Sequence, residues 1–170
     1  WSTLIAGYAQ HGRGQEGWDF FMQMQSEGHS PSPVTLICIL NACEYTGEIN
    51  KGKQLHNEIL SRGLLENDIF LATALVDMYA KCGMLAKAQE VHDNLCVRNV
   101  ASWNTLIAGY AQQGQGHEAL NCLERMKNQG FSPDEITFVC ILKSCGAIKA
   151  IDKGKYIHDE IISRNFLKNN

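Results

Sequence analysis

The chain has 170 residues, 45% apolar and 19% charged, a composition that supports an ordinary globular fold and excludes a disordered polyelectrolyte. Its formal net charge of −3 and pI near 6.1 count against a broadly basic nucleic-acid surface, although a local groove can depart from the mean. No run approaches the ~18 apolar residues of a membrane span. Seven cysteines without a clustered framework fit free thiols in a reducing compartment better than a secreted disulfide scaffold.

Taken in chain order, the first element is "WSTLIAGYAQ" from Trp1, an apolar helix closed by a turn around Gly12 and followed by a second helix before the "SP" at Ser30. The stretch "ICILNACEYTGEINKGKQLHNEILSRG" then predicts helix, glycine turn and helix, and "ATALVDMYAKCGMLAKAQEVHDNL" from Ala72 to Leu95 has the same outline. At Trp103 the opening returns as "WNTLIAGYAQ", with Asn104 in place of Ser2. Trp103, Leu106, Ile107 and Tyr110 form one helical stripe, and Leu120, Leu123 and Met126 form another beyond the turn at Gly114 to Gly116. Gly130 stops that second helix and Pro133 prevents its extension. A further "KGK" run at Lys153 repeats the one at Lys51.

Sliding the first 68 residues onto the last 68 needs no gap and leaves about half of the positions identical, so the chain contains a duplication at an offset of 102 residues. Each 102-residue period holds three helix-turn-helix modules. Two short helices cannot bury both apolar faces alone, so successive modules must stack around one continuous core.

The modules resemble known ones. "VASWNTLIAGYAQQGQGHEALNCLERMKNQGFSPD" is similar to a pentatricopeptide repeat, specifically the P module of the plant PLS subclass. "EITFVCILKSCGAIKAIDKGKYIHDEIISRNFLKNN" resembles its L module, and "IFLATALVDMYAKCGMLAKAQEVHDNLCVRN" its S module. The order is then a truncated P module at 1–32, L at 33–68, S at 69–99, P at 100–134 and L at 135–170, and one period of 36, 31 and 35 residues accounts for the offset. The resemblance implies an all-α fold, a right-handed superhelical solenoid of helix-turn-helix repeats.

It also implies binding of single-stranded RNA, about one base per repeat, read by the fifth residue and the last residue of each module. These are Thr73 with Asn99, Asn104 with Asp134, and Ser2 with Ser32. Short amide, hydroxyl and carboxylate groups on a rigid helix can match the fixed donors and acceptors of a base edge. By the family's code Thr with Asn resembles an adenine reader and Asn with Asp a uracil reader, whereas Ser with Ser is off the usual list. The L modules carry Ile37 with Asp68 and Val139 with Asn170, and an apolar fifth residue is assigned no base. The second residue of each module, which clamps bases, is Val34, Phe70, Ala101 or Ile136. Lys81, near the end of the S module's first helix, either approaches phosphate or stands solvated at a helix end.

The resemblance further implies a mitochondrial or chloroplast protein that recognises sites for C-to-U editing or another RNA-processing step. L modules are implied to meet other editing factors, and no cofactor, metal or catalytic residue is expected within the segment. Because the chain begins with Trp, it reads as part of something longer, and targeting signals are not legible.

Other signals point elsewhere less well. "HNE" at His56 and "HDE" at His158 match half of a zinc deaminase motif, but no two cysteines are three apart to supply the other half. Cys38 with Cys43 and Cys140 with Cys145, each five apart, turn to different helix faces and read as buried thiols. Trp1 and Trp103 lie on the apolar stripe and are expected in the core rather than as stacking platforms. The rival reading is a helical-repeat scaffold for peptides, against which stand the unequal module lengths and the polar pairs at fixed positions.

Overall fold

The computed structural model describes residues 1–66 and 68–164. Among the described residues the ordered elements are ten helices: α1 (Ser2–Gln10), α2 (Gly14–Ser26), α3 (Pro33–Thr46), α4 (Ile49–Ser61), α5 (Ile69–Lys81), α6 (Leu85–Asp93), α7 (Val100–Gln112), α8 (Gly116–Asn128), α9 (Glu135–Ala147) and α10 (Ile151–Ser163). They fall into two compact units, Trp1–Val97 with α1 to α6 and Arg98–Asn170 with α7 to α10. In the first unit α1 packs on α2 and α3, and α3 packs on α4 and α5. In the second, α7 packs on α8 and α9, and α9 packs on α10.

The odd-numbered helices are the central ones, and their sequences explain why. α5, "IFLATALVDMYAK", is apolar around most of its circumference and buries Leu71, Ala72, Leu75, Val76, Met78 and Tyr79; a helix of that kind needs neighbours on several sides. The even-numbered helices are one-sided. α8 buries Gly116, Ala119, Leu120, Cys122, Leu123 and Met126 along one stripe and leaves Glu118 and Glu124 outside.

The two kinds of helix also begin differently. Four odd-numbered helices start at a side-chain cap: Ser32 for α3, Asp68 for α5, Asn99 for α7 and Asp134 for α9, each accepting a backbone N–H of the first turn. The even-numbered helices have no side-chain cap and are entered from tight turns. Gly116 opens α8 in contact with α9. A Cβ there would lie 2.9 Å from the Ser144 carbonyl oxygen and 2.7 Å from Ile148 Cγ2, which reserves the position for glycine.

The expected core is present around Trp103, Leu106, Ile107 and Tyr110, all buried, as are Leu120, Leu123 and Met126. Trp1 departs from expectation. It is 38% exposed beside the 43% exposed Leu4, because within its unit α1 packs only on α2 and α3 and leaves this side open. All seven cysteines are free. Cys43 and Cys145 are buried, and burial, reinforced by the Glu48 charge, pushes the Cys43 thiol up to about 12.

Candidate functional site

The second unit brings Asn104 and Asp134 together. Asn104 stands at the start of the second turn of α7, and Asp134 is the residue that caps α9, so packing of α7 on α9 sets the two side chains face to face. Asn104 Nδ2 donates to Asp134 Oδ1 at 2.9 Å and to Oδ2 at 3.0 Å. Asp134 also accepts from the Thr137 backbone N–H at 2.9 Å. Burial pushes the Asp134 carboxyl up, but hydrogen bonds from the Thr137 backbone, Asn104, the Thr137 hydroxyl and the Ile136 backbone outweigh it and hold the group below its ordinary value. The carboxylate is therefore ionised at neutral pH and acts only as an acceptor.

A third residue, missed by the positional reading, completes the site. Thr137, in the first turn of α9 and fully buried, donates its hydroxyl to Asn104 Oδ1 at 2.5 Å and accepts the Asp134 backbone N–H at 3.2 Å. Its signal was in the sequence as the N-terminal capping pattern Asp134-x-x-Thr137, and the duplication repeats it as Ser32-x-x-Thr35.

In the first unit Ser2, Ser32 and Thr35 occupy the matching places. Ser2 Oγ lies 2.6 Å from Thr35 Oγ1, Ser32 Oγ lies 2.9 Å from the same atom, and the Thr35 backbone N–H donates to Ser32 Oγ at 3.2 Å. Ser2 and Ser32 are thus linked through Thr35. The chemistry differs from the second unit, because each hydroxyl can either donate or accept and the cluster has no fixed polarity.

Thr73 sits at the start of the second turn of α5 and gives its hydroxyl to the Ile69 carbonyl at 2.7 Å. Asn99 belongs to the other unit, where its side chain accepts from the Ser102 N–H at 2.8 Å and caps α7. Ile37 is half-buried, and Asp68 caps α5 by accepting from the Phe70 and Leu71 N–H groups at 3.0 Å each. Val139 is exposed, and Asn170 lies outside the described residues.

The four second-position residues all open outward at helix starts. Phe70 is 76% exposed, Val34 61% and Ile136 60%, and Ala101 is exposed as well. In the second unit Ala101 and Ile136 occupy the first turns of the two helices that carry the Asn104–Asp134 pair, so apolar and polar groups meet at one end of the α7–α9 layer. Lys81, at the other end of α5, is held by Glu44 at 2.6 Å and Asp77 at 2.9 Å. Burial pulls its ammonium down, but those two carboxylates outweigh it and raise it.

The two H-x-E segments have distinct surroundings. His56 is buried and its Nδ1 lies 2.9 Å from the Tyr79 hydroxyl, while Glu58 accepts from Gln25 at 3.0 Å and from Arg62 at 3.3 Å. Arg62 also donates to the Pro31 carbonyl at 3.1 Å, which ties α4 to the Ser-Pro turn before α3. The duplicate keeps the tie: Glu160 takes Lys127 at 2.7 Å and Arg164 at 2.6 Å, and Arg164 reaches the Pro133 carbonyl at 3.4 Å. His158 is exposed. The glutamates of both segments hold hairpins together.

Two family models match the chain, one described as PPR repeat family over residues 1–44 and 98–147, the other as PPR repeat over residues 70–100. Among curated proteins of Arabidopsis thaliana, one pentatricopeptide repeat-containing protein is 40% identical over 164 residues, covering 96% of this chain and 21% of its own length. Another is 41% identical over 166 residues, covering 98% and 23%. A third, named chloroplastic, is 37% identical over 161 residues, covering 95% and 20%. The chain thus spans about a fifth of the length of these relatives. Among solved structures, the pentatricopeptide repeat protein PPR10 in complex with an 18-nt psaJ RNA element superposes with a TM-score of 0.78 at 18% identity, covering 92% of this chain and 23% of that one. The nuclear proteinaceous RNase P 2 of Arabidopsis thaliana superposes with a TM-score of 0.70 at 12% identity, covering 94% and 37%. Both likenesses are of fold, an all-α helical-repeat solenoid.

Proposed function

The chain belongs to the pentatricopeptide repeat family, and from that premise we propose that it binds single-stranded RNA, one base per repeat, as the site-recognition part of an organellar C-to-U editing or RNA-processing factor. The observation that carries this reading is the Asn104–Asp134 pair, a carboxamide bonded to an ionised carboxylate beside the exposed apolar Ala101 and Ile136. A base can be clamped between apolar side chains while its edge meets a fixed set of polar groups.

Under this proposal Asn104 with Asp134 reads uracil and Thr73 with Asn99 reads adenine. Val34, Phe70, Ala101 and Ile136 clamp bases, and Lys81 approaches phosphate by exchanging Glu44 and Asp77 for it. The modules are ordered as in the PLS subclass, any catalytic step resides outside residues 1–170, and L modules meet other editing factors. Two relatives named chloroplastic support an organellar location, chloroplast or mitochondrion.

The test is enrichment of the intact protein's ligands from a randomised single-stranded RNA pool, with Thr73→Asn and Asn104→Thr as variants. Each variant is expected to change the preferred base at one position and leave the others alone. Unchanged preferences in both would defeat the base-reading assignment and favour a peptide scaffold.

A further inference from the structure

We propose that Thr137 is a positioning residue that helps fix the polarity of the Asn104 carboxamide and so separates uracil from cytosine; this rests on the base-reading proposal above. A carboxamide presents a donor and an acceptor side by side, and either order can pair with a pyrimidine edge. Uracil offers an N–H at N3 beside a carbonyl at C4, whereas cytosine offers a bare nitrogen beside an amino group. Turning the amide over therefore converts a uracil match into a cytosine match. Discrimination needs an amide that cannot turn.

The structure holds it from both ends. Asp134 takes the Nδ2 side at 2.9 and 3.0 Å, and Thr137 donates to the Oδ1 side at 2.5 Å. Turning the amide would set Oδ1 against the carboxylate and break the Thr137 bond. The Thr137 hydroxyl accepts the Asp134 backbone N–H at 3.2 Å and shares its one proton between Asn104 Oδ1 at 2.5 Å and Asp134 Oδ1 at 2.9 Å, the contact to Asn104 being the shorter. After these bonds Asn104 keeps one N–H and one Oδ1 lone pair for a base. Asn104 is only 6% exposed, so an Oδ1 stripped of its partner would be a buried, unsatisfied acceptor with reason to rotate.

The duplication offers a contrast. Threonine is kept at both places, Thr35 and Thr137, while the residues it touches change from Ser2 and Ser32 to Asn104 and Asp134. Where the partners are hydroxyls, the same threonine has no amide to orient, and the first-unit site has no polarity to impose on a base.

The experiment enriches ligands of the intact protein from a randomised RNA pool, with wild type, Asn104→Ala, Thr137→Val and Thr137→Ser compared by sequencing. The position whose preference flattens in Asn104→Ala is the base read there. At that position Thr137→Val is expected to lower the uracil-to-cytosine ratio about five-fold, the worth of one hydrogen bond, and Thr137→Ser, which keeps the hydroxyl, is expected to restore it. If no position responds to Asn104→Ala, the base-reading proposal itself fails. If one responds and Thr137→Val keeps the wild-type ratio, the role of Thr137 is refuted while base reading stands. Should Thr137→Val not fold, side-chain amide exchange measured by NMR on the wild type decides the matter: protected Asn104 protons support the clamp, and exchange as fast as at the exposed Asn50 overturns it.

Discussion

Asp134 serves two neighbours at once, since the carboxylate that bonds Asn104 also caps α9. Ser32 caps α3 in the first unit and meets Ser2 only through Thr35, and Asp68 and Asn99 are caps as well. The last residue of each of the first four modules is therefore polar for a structural reason before any ligand is considered, and a cap of this kind is worth about 1 kcal/mol. Asp134→Ala is expected to lower the stability of its unit by roughly 1 kcal/mol in denaturant titration, whereas Asp134→Asn, which keeps a capping oxygen, should retain most of it. His56 gives the pH dependence at this scale. Burial and then the Lys87 charge depress its basicity, with Glu90 opposing, so protonation favours the unfolded chain. Stability from this source is complete above about pH 6.5 and is lost as pH falls through the depressed folded value. Thermal unfolding between about pH 7 and pH 5 should show that loss, and His56→Gln should flatten it. The Asn104–Asp134 contact was legible in the sequence by position. Thr35 and Thr137 were marked only by the capping pattern, because a positional code names residues that face a ligand and is silent about those that face the readers.

Helices are the scale at which the sequence was most explicit, because apolar stripes broken by glycine turns have few other solutions. What periodicity could not convey is how each helix begins. The odd-numbered helices from α3 to α9 start on side-chain caps and the even-numbered ones on turns, and that difference places Thr73, Asn104 and the last-position residues Ser32, Asn99 and Asp134 near capped ends. It also could not foresee the exposure of Trp1, since a stripe identifies a face and says nothing about whether a neighbour covers it. One turn departs from the duplication. Gly47 precedes α4 with φ 69°, whereas its counterpart before α10 is Lys149 with φ 56°, the described non-glycine residue in the left-handed region. A side chain there costs on the order of 1 kcal/mol. Lys149→Gly should therefore raise the unfolding free energy of the second unit by about 1 kcal/mol; an unchanged or lower value would mean that the Lys149 side chain makes compensating contacts.

For the molecule as a whole, charge decides how RNA could be held. The net charge is −3, and Arg13, Lys51, Arg62, Lys81, Lys87, Lys127, Lys153 and Arg164 are all engaged with carboxylates. With eight of the 15 Lys and Arg side chains engaged in this way, the proposal expects clamping and base edges to carry much of the affinity and the slope of log K against log salt to be shallow, with about one or two phosphates neutralised. The division at Val97 and Arg98 falls just before Val100, where the duplicated P module begins. The most direct test of the central claim is a binding titration of the chain against a single-stranded RNA containing adjacent adenine and uracil and against the same RNA annealed to its complement. Base edges in a duplex are paired and inaccessible to Asn104 and Asp134, so binding to the single strand alone, roughly micromolar to millimolar, is predicted. Equal or tighter binding to the duplex would contradict it.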